Sequence, residues 1–338
     1  MSLTEVGLQA DVASDLPAGP IEGRSPWLLA WRRLRKDKVA VASLIVIIVL
    51  AVLALMAPLV AHWVQHPVDM PYTNSGLNSF GDPVAPSGKF LLGTDVLGRD
   101  LFVRILYGAR VSLLVGLVTT AIGTAAGLIV GMAAGYFGGV IDTVLARFID
   151  SVLAFPYVVL ALALAVVFGP SLPVTIGVIS FFAWAAIARV VRGQTLSIKE
   201  KEYIEAARSL GAGPLRIMFV DIAPNLVAPL LVLATLFIPT AIVFEATLSY
   251  LGVGIQPPTA SWGNLLSGAQ TTYNVAWWDL VFPCVFLLVT TLAFNLLGDG
   301  VRDALDPRTE RLFASRRRSA RRRSRHGRRD AAAPAGGA

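Results

Sequence analysis

Residues 39–61 read VAVASLIVIIVLAVLALMAPLVA, an uninterrupted stretch of 23 residues without a charged side chain. A helix of this length, at about 1.5 Å per residue, is longer than the roughly 30 Å hydrocarbon core of a bilayer. The stretch is also too long for the apolar core of a secretory signal peptide, so we expect it to remain in the membrane. The sequence therefore predicts an integral membrane protein.

Five further apolar segments are long enough to span a bilayer as helices. They occupy residues 111–135, 152–168, 174–191, 226–248 and 280–297. None shows the two-residue alternation of a barrel strand, and an isolated strand leaves its backbone groups unsatisfied in lipid. We therefore predict an all-α integral membrane protein with about six transmembrane helices.

The composition agrees with this class, because the 338 residues are 55% hydrophobic and only 15% charged. The net charge of +7 does not indicate nucleic-acid binding, since residues 315–330 alone hold nine arginines and one aspartate. A like-charged run without interleaved aromatic residues is typical of a disordered tail. We interpret this run as a solvated cytosolic tail that contacts anionic membrane lipid.

These features divide the chain into four regions. They are a polar N-terminal tail (1–26), a region with the first transmembrane helix and an extracytoplasmic loop (27–104), a core with five transmembrane helices and a cytosolic loop (105–308), and an arginine-rich tail (309–338). The single cysteine, Cys284, lies in an apolar segment, so no disulfide within the chain is expected.

Basic residues cluster before the first apolar segment, between the fourth and the fifth, and after the sixth. The first two clusters are Arg32, Arg33, Arg35, Lys36 and Lys38, and Arg189, Arg192, Lys199, Lys201, Arg208 and Arg216. Because cytoplasmic loops carry an excess of Lys and Arg, all three clusters and both termini are predicted to be cytosolic. Residues 169–173 and 249–279 contain no lysine or arginine, as expected of outer loops, while Arg99, Arg104 and Arg110 are exceptions before the second segment.

The outer region between the first two apolar segments has two predicted parts. Residues 62–90 are rich in Pro, Gly, Asn and Ser, which predicts an irregular loop. Four apolar residues then follow at helical spacing, opposite charged ones: Leu101, Phe102, Ile105 and Leu106. This pattern predicts a short amphipathic helix along the outer membrane interface, separate from the second span.

Within the second apolar segment, glycine recurs at every fourth position. The positions are Gly123, Gly127, Gly131 and Gly135. One helix face is therefore bare of side chains for almost four turns, which predicts the close approach of another helix.

The predicted cytosolic loop contains the stretch SIKEKEYIEAARSLG, residues 197–211. Ser197 and Glu200 have the spacing of a capping box, and Gly211 ends a helix, so we predict a short helix over residues 198–210 outside the membrane. Two adjacent alanines would let this helix settle into a groove of a partner, to which Glu205 would offer a carboxylate. The alternative is that Glu205 pairs with Lys201 and Arg208 on its own helix.

Several motifs resemble those of a known family of transport proteins. Glu205, Ala206, Ala207 and Gly211, with Ile222 and Pro224, resemble the EAA loop of ABC importer permeases, although Ala223 and the spacing before Ile222 depart from the pattern. Three further stretches resemble the C-type permeases of dipeptide and oligopeptide importers. They are LGTDVLGRD (92–100), LSYLGVGIQPPTASWG (248–263), and NLLGDG (295–300) with LDPR (305–308).

This resemblance implies a type I ABC importer permease fold in a prokaryotic inner membrane. It implies a second homologous permease subunit, one or two ABC ATPase subunits, and a solute-binding protein that delivers dipeptides or oligopeptides. The chain has no Gly-x4-Gly-Lys-Ser/Thr motif, so ATP and Mg²⁺ are expected in the partner ATPase and this subunit is expected to be non-catalytic. The residues expected to couple it to the ATPase are Tyr203, Glu205, Ala206, Ala207, Arg208 and Gly211.

Other charged residues admit weaker predictions. Glu245 lies in the fifth apolar segment, where it would serve an outer gate or a hydrogen-bonded interface. Asp95, Arg99 and Asp100 would contact the delivery protein or form caps and local ion pairs. His62 and His66 lack a third metal ligand, so no metal site is expected. Two alternatives stay open, namely an ABC permease for a metal complex or haem, and a self-sufficient channel or secondary transporter.

Overall fold

The structure is a computed structural model that describes residues 26–305. Of the predicted polar N-terminal tail only Pro26 is described, and the arginine-rich tail lies outside the described residues, as does the LDPR motif beyond Leu305. The helices are α1 (Pro26–Leu34), α2 (Lys38–Trp63), α3 (Leu101–Phe137), α4 (Gly139–Ala154), α5 (Tyr157–Phe168), α6 (Leu172–Lys199), α7 (Glu202–Ser209), α8 (Pro214–Tyr250), α9 (Trp262–Ala269) and α10 (Trp277–Leu305).

The apolar segments predicted from the sequence are confirmed as helices. Among the described residues, α2, α3, α6, α8 and α10 are long and apolar enough to cross a membrane, and the bent pair α4 and α5 adds a sixth span if it is counted as one. The fold is therefore an all-helical membrane bundle.

The third predicted span, residues 152–168, is divided between two helices at Pro156. The helices α4 and α5 meet at an angle of 84°. Phe155 ends α4 with an extended backbone (ψ 134°), and Pro156 precedes the first residue of α5. A proline has no backbone N–H to donate and disfavours helical geometry in the residue before it, so the helix breaks at this point.

The short amphipathic helix predicted along the outer interface was wrong. Residues 101–137 form one continuous helix of 37 residues. Its N-cap is Asp100, whose carboxylate accepts the backbone N–H of Val103. Leu101 and Ile105 are fully buried against α9, α10 and the end of α8 rather than lying along lipid. The apolar spacing therefore marks a face that packs inside the protein.

Helix α3 packs most extensively against α6, along the predicted glycine face. At Gly127 an added Cβ atom would lie 2.8 Å from the Cβ of Ile187, and at Gly131 it would lie 2.6 Å from the carbonyl oxygen of Ala188. Gly123 and Gly135 meet α6 in the same way. These separations are too short for any side chain, so the two backbones are in direct contact.

The bundle has two distinct ends. At one end the start of α2 contacts the end of α10, since an added Cβ at Gly300 would clash with Ala40. This end also carries α1 and α7. At the opposite end, a long loop over residues 64–100 covers the starts of α3 and α10, and the indole N–H of Trp278 donates to the carbonyl of Thr94 (3.3 Å).

Candidate functional site

The candidate site is centred on α7, a helix of eight residues between the spans α6 and α8. The predicted capping box was wrong, because α6 continues through Ser197 to Lys199 and the N-cap of α7 is Lys201, which makes no side-chain cap bond. Buried Ile198 extends α6, because its side chain packs in a cluster with residues of α7 and α8. The chain therefore turns at Glu200 and Lys201, and α7 begins at Glu202, four residues later than the sequence predicted.

One side of α7 attaches the helix to its own subunit. Ile204 is fully buried and packs with Ile198 of α6 and with Ile217 and Ile222 of α8. Ala207 is half-buried on the same side, so this alanine contacts its own subunit rather than an outside groove. Burying an isoleucine side chain stabilises the attachment by about 1.5–3 kcal/mol.

The rest of α7 is exposed and carries most of the predicted coupling residues. We define the α7 surface as Tyr203, Glu205, Ala206, Arg208, Leu210 and Gly211, with Leu215 beyond the turn. Leu210, in the turn after α7, is 88% exposed, and Leu215, near the start of α8, is 68% exposed. Exposed apolar patches of this kind mark interaction sites. Such a surface is typical of a binding site for another protein.

The charged side chains of α7 do not pair with one another. Among the described residues, Glu205 forms no ion pair with Lys201 or Arg208, contrary to the alternative drawn from the sequence. Instead, the guanidinium of Arg208 lies 5.4 Å from the ring centre of Tyr136, at the end of α3. The exposed carboxylate of Glu205 is thus available to a partner.

Both ends of α7 are joined closely to membrane helices. Gly211 adopts a left-handed backbone (φ 82°), and Pro214 then begins α8. The amide of Asn225 donates to the hydroxyl of Tyr203 (3.3 Å), which adds a side-chain link between α7 and α8. The helix α7 is therefore held to both neighbouring spans.

The first part of α8 contains a π-helical segment, Ile217–Ile222, that was not predicted from the sequence. The backbone N–H of Ala223 donates to Met218 rather than to the residue four positions earlier. Pro224 follows directly and has no N–H to donate to the preceding turn, so the regular hydrogen-bond pattern is interrupted here. Pro224 is therefore the feature of the sequence that could have predicted the irregular segment. Single π-helical turns are frequent at functional sites.

Two ion pairs join α4 to α6 near the same end of the bundle. The guanidinium of Arg192 donates to both carboxylate oxygens of Asp142 (2.5 and 2.8 Å), and Arg189 pairs with Asp150 (2.6 Å). The Arg192 pair is two-pronged and partly buried, which fixes its geometry. The helix α6 therefore connects α7 with both α3 and α4.

At the opposite end, Asp95, Arg99 and Asp100 are buried and paired within the subunit. The Asp95 carboxylate accepts from the guanidinium of Arg99 (2.7 Å) and lies 3.2 Å from Arg104. Asp100 caps α3 and lies 2.5 Å from a ring nitrogen of His66. All three side chains thus have partners within the subunit. Their contact with a delivery protein stays a prediction.

The two histidines considered for metal binding are not brought together as ligands. His66 stacks on Phe90 with ring centres 5.0 Å apart, while His62 is exposed. Partial burial and the Asp100 carboxylate raise the pKa of the neighbouring Tyr72 hydroxyl. Between residues 26 and 305, no three His, Cys, Asp or Glu side chains are grouped to hold a metal ion.

Glu245 is fully buried inside the bundle. Its carboxylate accepts hydrogen bonds from the hydroxyls of Ser112 on α3 (2.7 Å) and Ser249 on α8 (2.8 Å). The Ser249 hydroxyl in turn accepts the backbone N–H of Ile255 in the loop that follows α8 (2.9 Å). Glu245 thus joins two helices and a loop, and a role at an outer gate stays a prediction.

Two family models match the chain. The model described as "Binding-protein-dependent transport system inner membrane component" matches residues 127–311, and the one described as "N-terminal TM domain of oligopeptide transport permease C" matches residues 25–79.

Curated relatives align over most of the chain. A dipeptide transport system permease protein of Bacillus subtilis is 41% identical over 83% of this chain and 86% of its own length. An oligopeptide transport system permease protein of Escherichia coli is 41% identical over 85% of this chain and 93% of its own length. A glutathione transport system permease protein of Escherichia coli is 40% identical over 86% of this chain and 93% of its own length.

A solved structure has the same fold. It is an inward-facing conformation of the MetNI methionine ABC transporter, with a TM-score of 0.50 and 20% identity, over 60% of this chain and 96% of that chain.

Proposed function

This chain belongs to the family of binding-protein-dependent transport system inner membrane components, and we propose that it forms one half of the membrane pathway of an ATP-driven peptide importer. Its partners in this proposal are a second homologous permease subunit, one or two ABC ATPase subunits and an extracytoplasmic solute-binding protein. ATP and Mg²⁺ are held by the ATPase subunits, because this sequence lacks a phosphate-binding loop.

The exposed α7 surface is the observation that carries the proposal. It presents an unpaired carboxylate, Glu205, beside two exposed leucines, Leu210 and Leu215, at one end of the bundle. An apolar contact rimmed by charge is the ordinary chemistry of a protein interface. We assign this surface to the ATPase subunit.

The packing of α7 suggests how movement of the ATPase reaches the membrane. When two ATPase subunits close on ATP, α7 moves with the surface that holds it, and buried Ile204 transmits the movement to α6 and α8. The direct backbone contact of α3 with α6, and the Arg192 pair with Asp142, carry α3 and α4 along. The spans then open the pathway alternately to the two sides of the membrane.

The distribution of basic residues sets the proposed orientation in the inner membrane. The basic residues from Arg32 to Lys38 surround the start of α2. Lys199 and Lys201 precede α7 and Arg208 lies on it, at the same end of the bundle. Because basic loops stay inside, this end and both termini are assigned to the cytosol. The loop over residues 64–100 and helix α9 then face the solute-binding protein.

Dipeptides and oligopeptides are the proposed cargo, after the named cargo of the relatives. The glutathione permease is almost equally similar, so glutathione is a second candidate.

Uptake by the complete complex in proteoliposomes tests this function. We expect labelled dipeptide to accumulate only when ATP, the ATPase subunits and the solute-binding protein are all present. Accumulation by this subunit alone would indicate a self-sufficient channel or secondary transporter. ATP-driven uptake of a metal complex or haem, without peptide uptake, would overturn the proposed cargo but keep the permease assignment.

A further inference from the structure

Helix α1 has the character of a helix that lies in a membrane interface. Its sequence is PWLLAWRRL, and Trp27, Leu28 and Trp31 are each about half exposed. Arg32 shares this exposed side, and tryptophan and leucine beside a basic residue are typical of helices at the headgroup boundary. The guanidinium of Arg33 reaches the carbonyl of Ala304 (3.5 Å), which connects α1 to the end of α10.

An apolar groove of about 360 Å³ begins beside α1 and runs between α2 and α10. Val39, Ala42 and Val46 line it on α2, and Leu292 and Leu296 line it on α10, with Lys38 at its end. From Lys38 to Val46 a helix advances about 12 Å, which is close to the depth of one leaflet, roughly half of 30 Å. The groove therefore matches one acyl chain of a single leaflet.

Positive charge is concentrated where the groove opens at the end of the bundle. Residues 32–38 hold five basic side chains and Asp37, and the end of α10 adds Arg302, Asp299 and Asp303. Six basic and three acidic side chains leave a net charge of +3. The Asp37 carboxylate already accepts the backbone N–H groups of Val39 and Ala40, while Lys36 and Lys38 are exposed.

We propose that this groove and its basic rim form a site for one anionic phospholipid. An acyl chain occupies the groove, Lys36 and Lys38 contact the phosphate, and α1 lies across the neighbouring headgroups. A protein partner seated here would have to remove several like charges from water, whereas a lipid leaves them at the aqueous boundary. The site rests on the proposed orientation, because the cytosolic leaflet carries the anionic lipids that attract basic segments.

Native mass spectrometry of the purified complete complex tests the site. Phosphatidylglycerol and phosphatidylcholine are added separately, and the lipid retained per complex is counted. We expect preferential retention of phosphatidylglycerol. The double variant Lys36→Gln with Lys38→Gln should weaken the binding of phosphatidylglycerol by about 25-fold, because each basic residue contributes a factor of roughly five. Ala42→Phe, which fills the groove, should abolish retention of the bound lipid.

Two matched controls separate this site from general effects. Arg147→Gln removes an exposed basic residue of α4, and Ile45→Phe adds bulk on an exposed face of α2 outside the groove. Both should retain phosphatidylglycerol as the unaltered complex does. Equal retention of the two lipids, or retention unchanged in Ala42→Phe, would overturn the proposal.

A photoreactive amino acid at position 42 provides the second readout. Cross-linking to lipid supports the site, and cross-linking to another subunit would make the groove a subunit interface and overturn it. Both measurements read bound lipid without requiring transport. A complex that retains phosphatidylglycerol but takes up no peptide would therefore contradict the proposed function alone.

Discussion

Replacing Ile204 by alanine should uncouple ATP hydrolysis from transport. Ile204 is fully buried and is the main apolar contact of α7 with the cluster formed by α6 and α8. An isoleucine-to-alanine change in a packed core costs about 2–5 kcal/mol. A loss of about 3 kcal/mol shifts the balance between attached and detached α7 by roughly 150-fold toward detachment. The exposed α7 surface is unchanged, so the ATPase should still bind.

The assay is the number of peptides taken up per ATP hydrolysed by proteoliposomes containing the complete complex. We expect this ratio to fall at least fivefold in Ile204→Ala, while Ile204→Val, which costs only about 0.5–1.5 kcal/mol, should keep most of it. Ile105→Ala removes an equally buried isoleucine at the opposite end of the bundle, so it should lower stability without changing the ratio. A normal ratio in a correctly assembled Ile204→Ala complex would refute the attachment argument.

Three further substitutions test other parts of the same reasoning. Glu205→Arg should leave the subunit inserted, because the side chain is exposed, but should abolish uptake and ATPase association; uptake at the normal rate would count against the coupling role. Gly131→Val should separate α3 from α6 and lower the thermal unfolding temperature of the complex by several degrees. In the control Gly177→Ala the added methyl group meets open space, so the unfolding temperature should not fall. Asp142→Asn should weaken the two-pronged contact with Arg192 and slow uptake severalfold with the complex intact, and unchanged uptake would show that α4 does not participate.

Long apolar runs made the spans predictable, because burial in lipid depends on composition more than on neighbours. The resemblance to permeases of peptide importers, drawn from a few motifs, is confirmed by relatives with 41% identity over most of the chain. Local rules were less reliable at helix ends. Ser197 and Glu200 have the spacing of a capping box, but the burial of Ile198 extended α6 past Ser197 to Lys199, and Glu200 is its C-cap.

Contacts between residues far apart in sequence could not be predicted. Nothing near Glu245 in the sequence indicates that Ser112, 133 positions away, donates to its carboxylate. Likewise, Asp142 and Arg192 are 50 residues apart, and only the packing of α4 on α6 brings them together. The sequence shows which side chains need partners in lipid, and the fold determines which partners they obtain.

The unbroken length of α3 has a geometric consequence for the two faces of the membrane. Its 37 residues extend about 55 Å, so a tilt of only about 5° displaces one end relative to the other by about 5 Å. Tyr136, beneath Arg208, lies at one end, and Asp100, joined to His66, begins the other. A change of angle too small to disturb the packing at the middle of this helix would still move the loop over residues 64–100 by more than the width of a side chain.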